Sequence, residues 1–241
     1  MNVHIVKAIL KKEISTHFAT RMNRAFTLLL AAMFTWFSIH NLANGIAGTL
    51  ENLASQLEET LLFTLIIPTF ISSDLAIFAF VREKSEKTLE HLLSLPISDN
   101  DIFLGKFSAA FVTGLLAEWP IALIVVASPI VFLRLAPNFS YVSVNALLII
   151  FLIAPLATAL ANLLITFMST RGSIQSRGTI IFIITLPFSA AILGVSRSYS
   201  RLPLSHTVFN LLLSLALFVA VIVVYILVMK KFSREQLISG L

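Results

Sequence analysis

The chain alternates between long apolar runs and short charged ones. The apolar runs cover 25–43, 61–81, 107–133, 142–168, 179–195 and 208–229. A helix needs about 20 mostly apolar residues to cross a bilayer. The pattern therefore predicts an all-α integral membrane protein, with six transmembrane helices in one domain over 1–241. Within 1–24, Val3, Val6, Leu10 and Ile14 fall near one helical face, with Lys7, Lys11 and Lys12 largely opposite. That spacing predicts an amphipathic elbow helix lying in the membrane interface, although Glu13 and His17 intrude on its apolar side. Leu50, Leu53 and Leu57, with Glu51, Glu58 and Glu59, also keep helical spacing and are expected to prolong the first span. Ala43-Asn44-Gly45 resembles a signal-peptide cleavage site, but the run before it exceeds the roughly 7–15 residues of a signal core and reads as a retained span.

Composition agrees with this pattern. Hydrophobic residues make up 58% of the 241 and charged residues only 12%, against about 45–50% and about 25% in soluble domains. There is no cysteine, so disulfides, thiolate metal sites and cysteine nucleophiles are excluded. The net charge of +5 is explained by placement rather than by a nucleic-acid partner. With the N-terminus inside, only Arg134, Arg197 and Arg201 of the 17 basic residues lie in outer loops. The positive-inside rule then predicts both termini in the cytoplasm, with 230–241 as a cytoplasmic tail. The outer loops leave little room for an external catalytic site.

The densest chemistry lies in the loop 82–104 between spans two and three. Leu89, Leu92, Leu93 and Pro96 follow helical spacing with charges on the other faces, and Pro96 is expected to end that helix near Leu95. Ser98 with Asp101 resembles a capping box opening the third span. A short amphipathic helix between two spans offers an apolar ridge to a cytoplasmic partner.

In this loop, Glu83, Thr88-Leu89-Glu90, Leu92-Leu93, Pro96-Ile97-Ser98 and Gly105-Lys106 stand in the order and spacing of a signature. By it the chain resembles the membrane subunits, or permeases, of ATP-binding-cassette (ABC) exporters. The six-span layout, the basic elbow helix and the short outer loops are similar too. The resemblance implies that about 84–95 form a coupling helix docking on a separate ABC ATPase subunit. It implies a second permease subunit, identical or similar, and export by alternating access at the cell membrane. ATP and magnesium would be held by the partner, and the chain itself would be no enzyme. In keeping with that, no G-x-x-x-x-G-K-[ST] phosphate loop occurs, since Gly105-Lys106 is followed by Phe107. The segment 196–207 is short for the re-entrant outer element of the larger sterol and drug exporters, which places the likeness with compact prokaryotic permeases.

Two ionisable residues fall inside predicted spans. Asp74 and Glu118 read either as polar sites on a pathway or in a proton relay, or as internal hydrogen-bond anchors or carboxyls kept neutral by burial, because an ionisable group facing lipid costs several kcal/mol. Asp74, eight residues before Arg82, fits the anchor; Glu118, before Trp119-Pro120, is balanced between the two. The histidines, at 4, 17, 40, 91 and 206, show no i, i+4 metal pair, and no G-x-S-x-G elbow supports a nucleophile triad. Small residues at 154, 157, 158 and 161, and at 190 and 194, predict close helix packing. The alternatives to an ATP-driven permease are an ion-gradient transporter using Asp74 or Glu118, a non-transporting scaffold and a haem-exporter-like subunit.

Overall fold

The computed structural model of the chain describes residues 2–19, 21–45, 50–79, 97–132, 141–170, 186–199 and 205–231. All regular elements among them are helical: α1 (Val3–Ala19), α2 (Arg21–Gly45), α3 (Leu50–Thr64), α4 (Ile66–Ile77), α5 (Asp99–Phe132), α6 (Val144–Leu148), a π-helical turn (Ile149–Ile153), α7 (Ala154–Thr170), α8 (Leu186–Tyr199) and α9 (His206–Lys231). Four helical stretches among the described residues are long and apolar enough to cross a membrane: Leu53–Ile77, Asp99–Val131, Val144–Met168 and His206–Lys230.

Leu53–Ile77 is the central element, 83% buried within the protein, whereas His206–Lys230 is only 11% buried. The outward side chains of α9, among them Leu212, Leu215 and Phe218, are about half exposed or more. An apolar helix that buries so little of itself against protein needs hydrocarbon around it. Sequence spacing misplaced one junction: α3 leads into α4 as one crossing helix instead of prolonging α2, which ends at Gly45. The reason is packing, because Leu53, Leu57, Leu61 and Leu65 all turn into one core cluster with Ile121, Val125 and Ile149.

Two devices fix how the crossing helices meet. At Gly114 of α5, an added Cβ would stand 2.9 Å from both Ser72 Cβ of α4 and Thr158 Cγ2 of α7. The missing side chain thus lets three helices touch. One turn further along α5, Trp119 lies 6.4 Å, ring to ring, from Phe151. Residues rising along α5 therefore face residues falling along α6–α7, and the two run antiparallel. In the latter, the Ala154 N–H donates to the Ile149 carbonyl five residues back, so the helix widens just before Pro155, whose ring nitrogen has no hydrogen to donate. Gly114→Ala is expected to destabilise the fold by about 1–3 kcal/mol through overpacking, seen as a lower Tm of the detergent-purified protein.

The helix ends opposite α1 are joined by a polar clasp. Ser143 caps α6 by accepting the Ala146 N–H at 3.1 Å, and its hydroxyl donates to Glu58 of α3. His206, opening α9, sits 3.1 Å from the other Glu58 oxygen. Next to this clasp the buried Tyr141 hydroxyl donates to the Val126 carbonyl at 2.8 Å, and burial pushes its pKa up.

Candidate functional site

The charged segment that carries the loop signature begins just after α4 and ends just before α5. Glu83, Thr88, Leu89, Glu90, Leu92, Leu93 and Pro96 lie outside the described residues, as do Arg82 and the rest of 80–96. Both ends of the segment are described, and both are held by α1.

α1 is a regular helix, and the face it turns to the protein overlaps the one its apolar residues mark out, with Val6, Leu10 and Ile14 half-buried at the edge of a stripe centred on other residues. Val3 is 63% exposed, while the buried stripe is Ile9, Glu13 and His17, at successive i, i+4 positions. Leu10 and Ile14 pack at its flank against a cluster containing Leu75 and Ala109. The residues that spoil the apolar face in sequence are thus the ones that dock. Glu13 is buried because Lys106 of α5 reaches it at 2.9 Å. The Lys106 ammonium is itself fully buried, and donates a second hydrogen bond, at 2.7 Å, to the carbonyl of Ala79. Lys12 stands 3.9 Å from the same carboxylate on the solvent side. His17 Nε2 lies 3.8 Å from an Asp74 carboxylate oxygen of α4, with its ring edge-on to Phe18 and Phe78.

Gly105 is what allows this approach. A Cβ there would stand 2.7 Å from both Cβ and Cγ2 of Ile9 and 3.3 Å from the Val6 carbonyl. The neighbouring residue pair Gly105-Lys106 therefore has a structural division of labour: the glycine lets α1 in and the lysine holds it. At the start of α5, Ser98 accepts the Asp101 N–H at 3.1 Å, as a helix cap does. Asp101 in turn accepts the backbone N–H of Asn2 at 3.0 Å. α1 is hence bound through Asn2, the residue just before it, to the C-terminal side of the loop and through Glu13–Lys106 to Ala79 on the N-terminal side.

A buried ion pair is strong where each charge keeps further partners, because desolvation otherwise outweighs the Coulomb gain. Lys106 meets that condition with one carboxylate and one carbonyl. By sequence alone Lys106 counted as a cytoplasmic topology charge and as part of the loop signature; the structure buries its side chain against Glu13. The signal that pointed there was the unexplained Glu13 on an apolar face.

Of the two intramembrane acids, Asp74 is part of this assembly and Glu118 is not. Asp74 faces His17 at the α1 end, as an anchor would. Glu118 is 2% exposed, and its Oε2 has no hydrogen-bond partner among the described residues. No protein-family model matches the chain, and no curated protein matches it significantly.

Proposed function

We propose that this chain is the membrane subunit of an ATP-driven exporter of the ABC class. It would span the cell membrane six times with both termini in the cytoplasm, and work as a dimer or with a similar second permease. A separate ATPase subunit would hold ATP and magnesium, grip the helix expected at 84–95 and move it. The observation that carries the reading is the Lys106 bridge between Glu13 and the Ala79 carbonyl. Together with the Asn2–Asp101 bond, it makes α1 a strap across both roots of the loop that bears the signature.

Such a strap is what a force-transmitting loop needs. A loop rooted in two independently mobile helices would dissipate a push in local bending. Rooted in α4 and α5, which pack on each other, and tied to α1 across both, it would pass a displacement to the central spans as a unit. In this reading α1 is the elbow helix, set at the cytoplasmic end of α4 and α5. The Glu58–Ser143–His206 clasp holds the opposite, outer ends of three helices, so the two ends of the bundle have separate fastenings.

The test is affinity purification from a membrane that contains the native partners. An ATPase is expected to co-purify with the chain, and the double substitution Leu92→Asp, Leu93→Asp is expected to abolish its recovery while the chain still reaches the membrane. Undiminished co-purification would remove the docking assignment. An ion-gradient transporter instead predicts transport by the chain reconstituted without any ATPase.

A further inference from the structure

The bundle is not packed evenly. Leu62 and Leu65 of the central crossing, Ile153 of the π-helical turn and Ala157 of α7 are at most 3% exposed. They do not close against the helices opposite. Between them and α8, at Phe188 and Ile192, and α9, at Leu213, lies a cavity of about 120 Å3 whose wall carries no polar atom.

Two features of the fold leave this space. Ala157 on the floor and Ala191 on the α8 side both border the cavity, and each side chain ends at Cβ. The helices around it also fail to meet: α8 packs along α3 and α9 along α7, whereas α8 and α9 hardly touch each other among the described residues. Their cavity-lining side chains Phe188, Ile192 and Leu213 are accordingly half-buried, in contrast to the buried floor. The cavity is closed toward the centre of the bundle and reaches the surface along the gap between α8 and α9.

Position decides what can enter. Beside the gap, the outward side chains Leu212, Leu215 and Phe218 of α9 are more than half exposed and need hydrocarbon around them. The crossing stretch of α9 begins at His206. Leu213 stands two turns beyond that residue, and Leu62 one turn beyond its clasp partner Glu58, so the cavity lies at the depth of hydrocarbon and below the headgroups. Water finds no hydrogen-bond partner in such a space; an apolar cavity of roughly 150 Å3 stays dry and takes up a small hydrocarbon instead. Left empty, its wall forfeits dispersion contacts on one side. A headgroup or a charged solute would lose its hydrogen bonds there. The volume suits a few methylene groups, and the bilayer beside the gap supplies them on linear chains.

We infer that the cavity binds the end of a lipid acyl chain, which enters from the bilayer through the gap between α8 and α9 and leaves its headgroup at the membrane border. The chain completes the packing that Ala157 and Ala191 leave open, and it joins α8 to α9, which their own side chains do not. One lipid is then a structural part of the bundle, drawn from the leaflet on the side of the Glu58–Ser143–His206 clasp. The inference does not depend on an ATPase partner.

The test uses the full chain reconstituted alone in phosphatidylcholine vesicles, so its failure is distinct from failure of the exporter reading. The vesicles contain a phosphatidylcholine with a photoreactive diazirine in the middle of one acyl chain, and labelled residues are located by mass spectrometry after irradiation. Surrounding lipid labels the outward face of α9 in any case. Leu62, Leu65 and Ile153 are beyond the reach of that lipid, so label on them is expected from a chain inside the cavity. Ala157→Leu fills the cavity from its floor and Ala191→Phe from the α8 side. Each is expected to remove most of the label from Leu62, Leu65 and Ile153 while that on Leu212 and Leu215 stays. Ala191 is exposed, so its replacement is tolerated even where the floor variant fails to fold. A wild type labelled on α9 but not on Leu62, Leu65 or Ile153 would overturn the assignment, and so would equal labelling of these three in the wild type and in Ala191→Phe.

Discussion

Replacing Lys106 by Met is expected to lower stability by about 3–5 kcal/mol, the usual cost of removing one partner from a buried ion pair. The loss has two parts. Glu13 would remain within the protein without its counter-charge, and the Ala79 carbonyl would lose its donor at the root of the loop. One effect opposes this: Lys12, already 3.9 Å from the same carboxylate, can draw Glu13 partway to solvent. That rescue is small, because Lys12 is 56% exposed and a solvent-side pair contributes only about 0–1 kcal/mol. It also moves the helix, so α1 would loosen even where the bundle survives. The double variant Glu13→Gln, Lys106→Met separates charge from shape. Removing both charges leaves no buried unpaired charge, although the Ala79 carbonyl still lacks its donor, so the double variant is expected to be more stable than Lys106→Met alone. Denaturation of the four proteins in detergent gives the cycle. A coupling near zero would mean that the pair is ornamental and that α1 is held by Ile9 and its neighbours instead.

The same residue marks the boundary of what sequence reveals here. Hydrophobic runs located two of the crossing helices, 142–168 and 208–229, to within about two residues, but placed the starts of 61–81 and 107–133 eight residues too late, because the first turns of those helices carry polar residues. The runs 25–43 and 179–195 are not among the four stretches of the described residues long and apolar enough to cross. Pro155 and Thr158 belong to the legible part: a proline in an apolar helix announces a distortion, and Thr158 stands in the small-residue stripe that announces close packing, whereas its contact Gly114 was not marked by the stripe. Lys106 was illegible because a lysine at a membrane border usually extends its ammonium to water. Only Glu13, 93 residues away in sequence, turns it inward. The apolar face of α1 was legible in part: Val6, Leu10 and Ile14 are half-buried, but Val3 is exposed, and the docked stripe is centred on Ile9, Glu13 and His17, because a buried acid facing a buried lysine fixes the rotation of the helix. The junction between the first two crossings failed on a similar point: periodicity shows that 50–64 is helical, not which neighbour it continues into. For the site, Ile97, Ser98, Gly105 and Lys106 are the signature residues whose surroundings are described: Ile97 packs on a core cluster, Ser98 caps α5, Gly105 admits α1 and Lys106 pairs with Glu13. Asp74 stands beside His17, a neighbour its sequence position did not name, whereas Glu118 stands apart, and nothing in its local sequence says that its oxygen would lack a donor.

Gly105→Val is expected to detach α1 from the bundle, and comparison with Gly194 shows why. Both glycines lie inside helices, where glycine costs about 1 kcal/mol relative to alanine, so helix propensity favours substitution at both. At Gly194 an added Cβ meets nothing within 4 Å, and Gly194→Ala is expected to be neutral or mildly stabilising. At Gly105 the Cβ would come within 2.7 Å of two Ile9 atoms. Trimming Ile9 to alanine removes Cγ2 but leaves Cβ at the same distance, so no side-chain adjustment relieves the clash. The helices must separate instead. Separation stretches the Asn2–Asp101 bond at one end of α1 and the Glu13–Lys106 pair at the other, and neither tolerates much lengthening. The overpacking alone is about 1–3 kcal/mol, and loosening the buried pair adds to it. Hydrogen exchange reads the outcome directly: amides of α1 are expected to exchange much faster in Gly105→Val, while those of α3 and α7 stay protected. Protection of α1 unchanged from the wild type would show that its docking does not depend on the bare backbone at Gly105, and the strap across the loop would have to be anchored elsewhere.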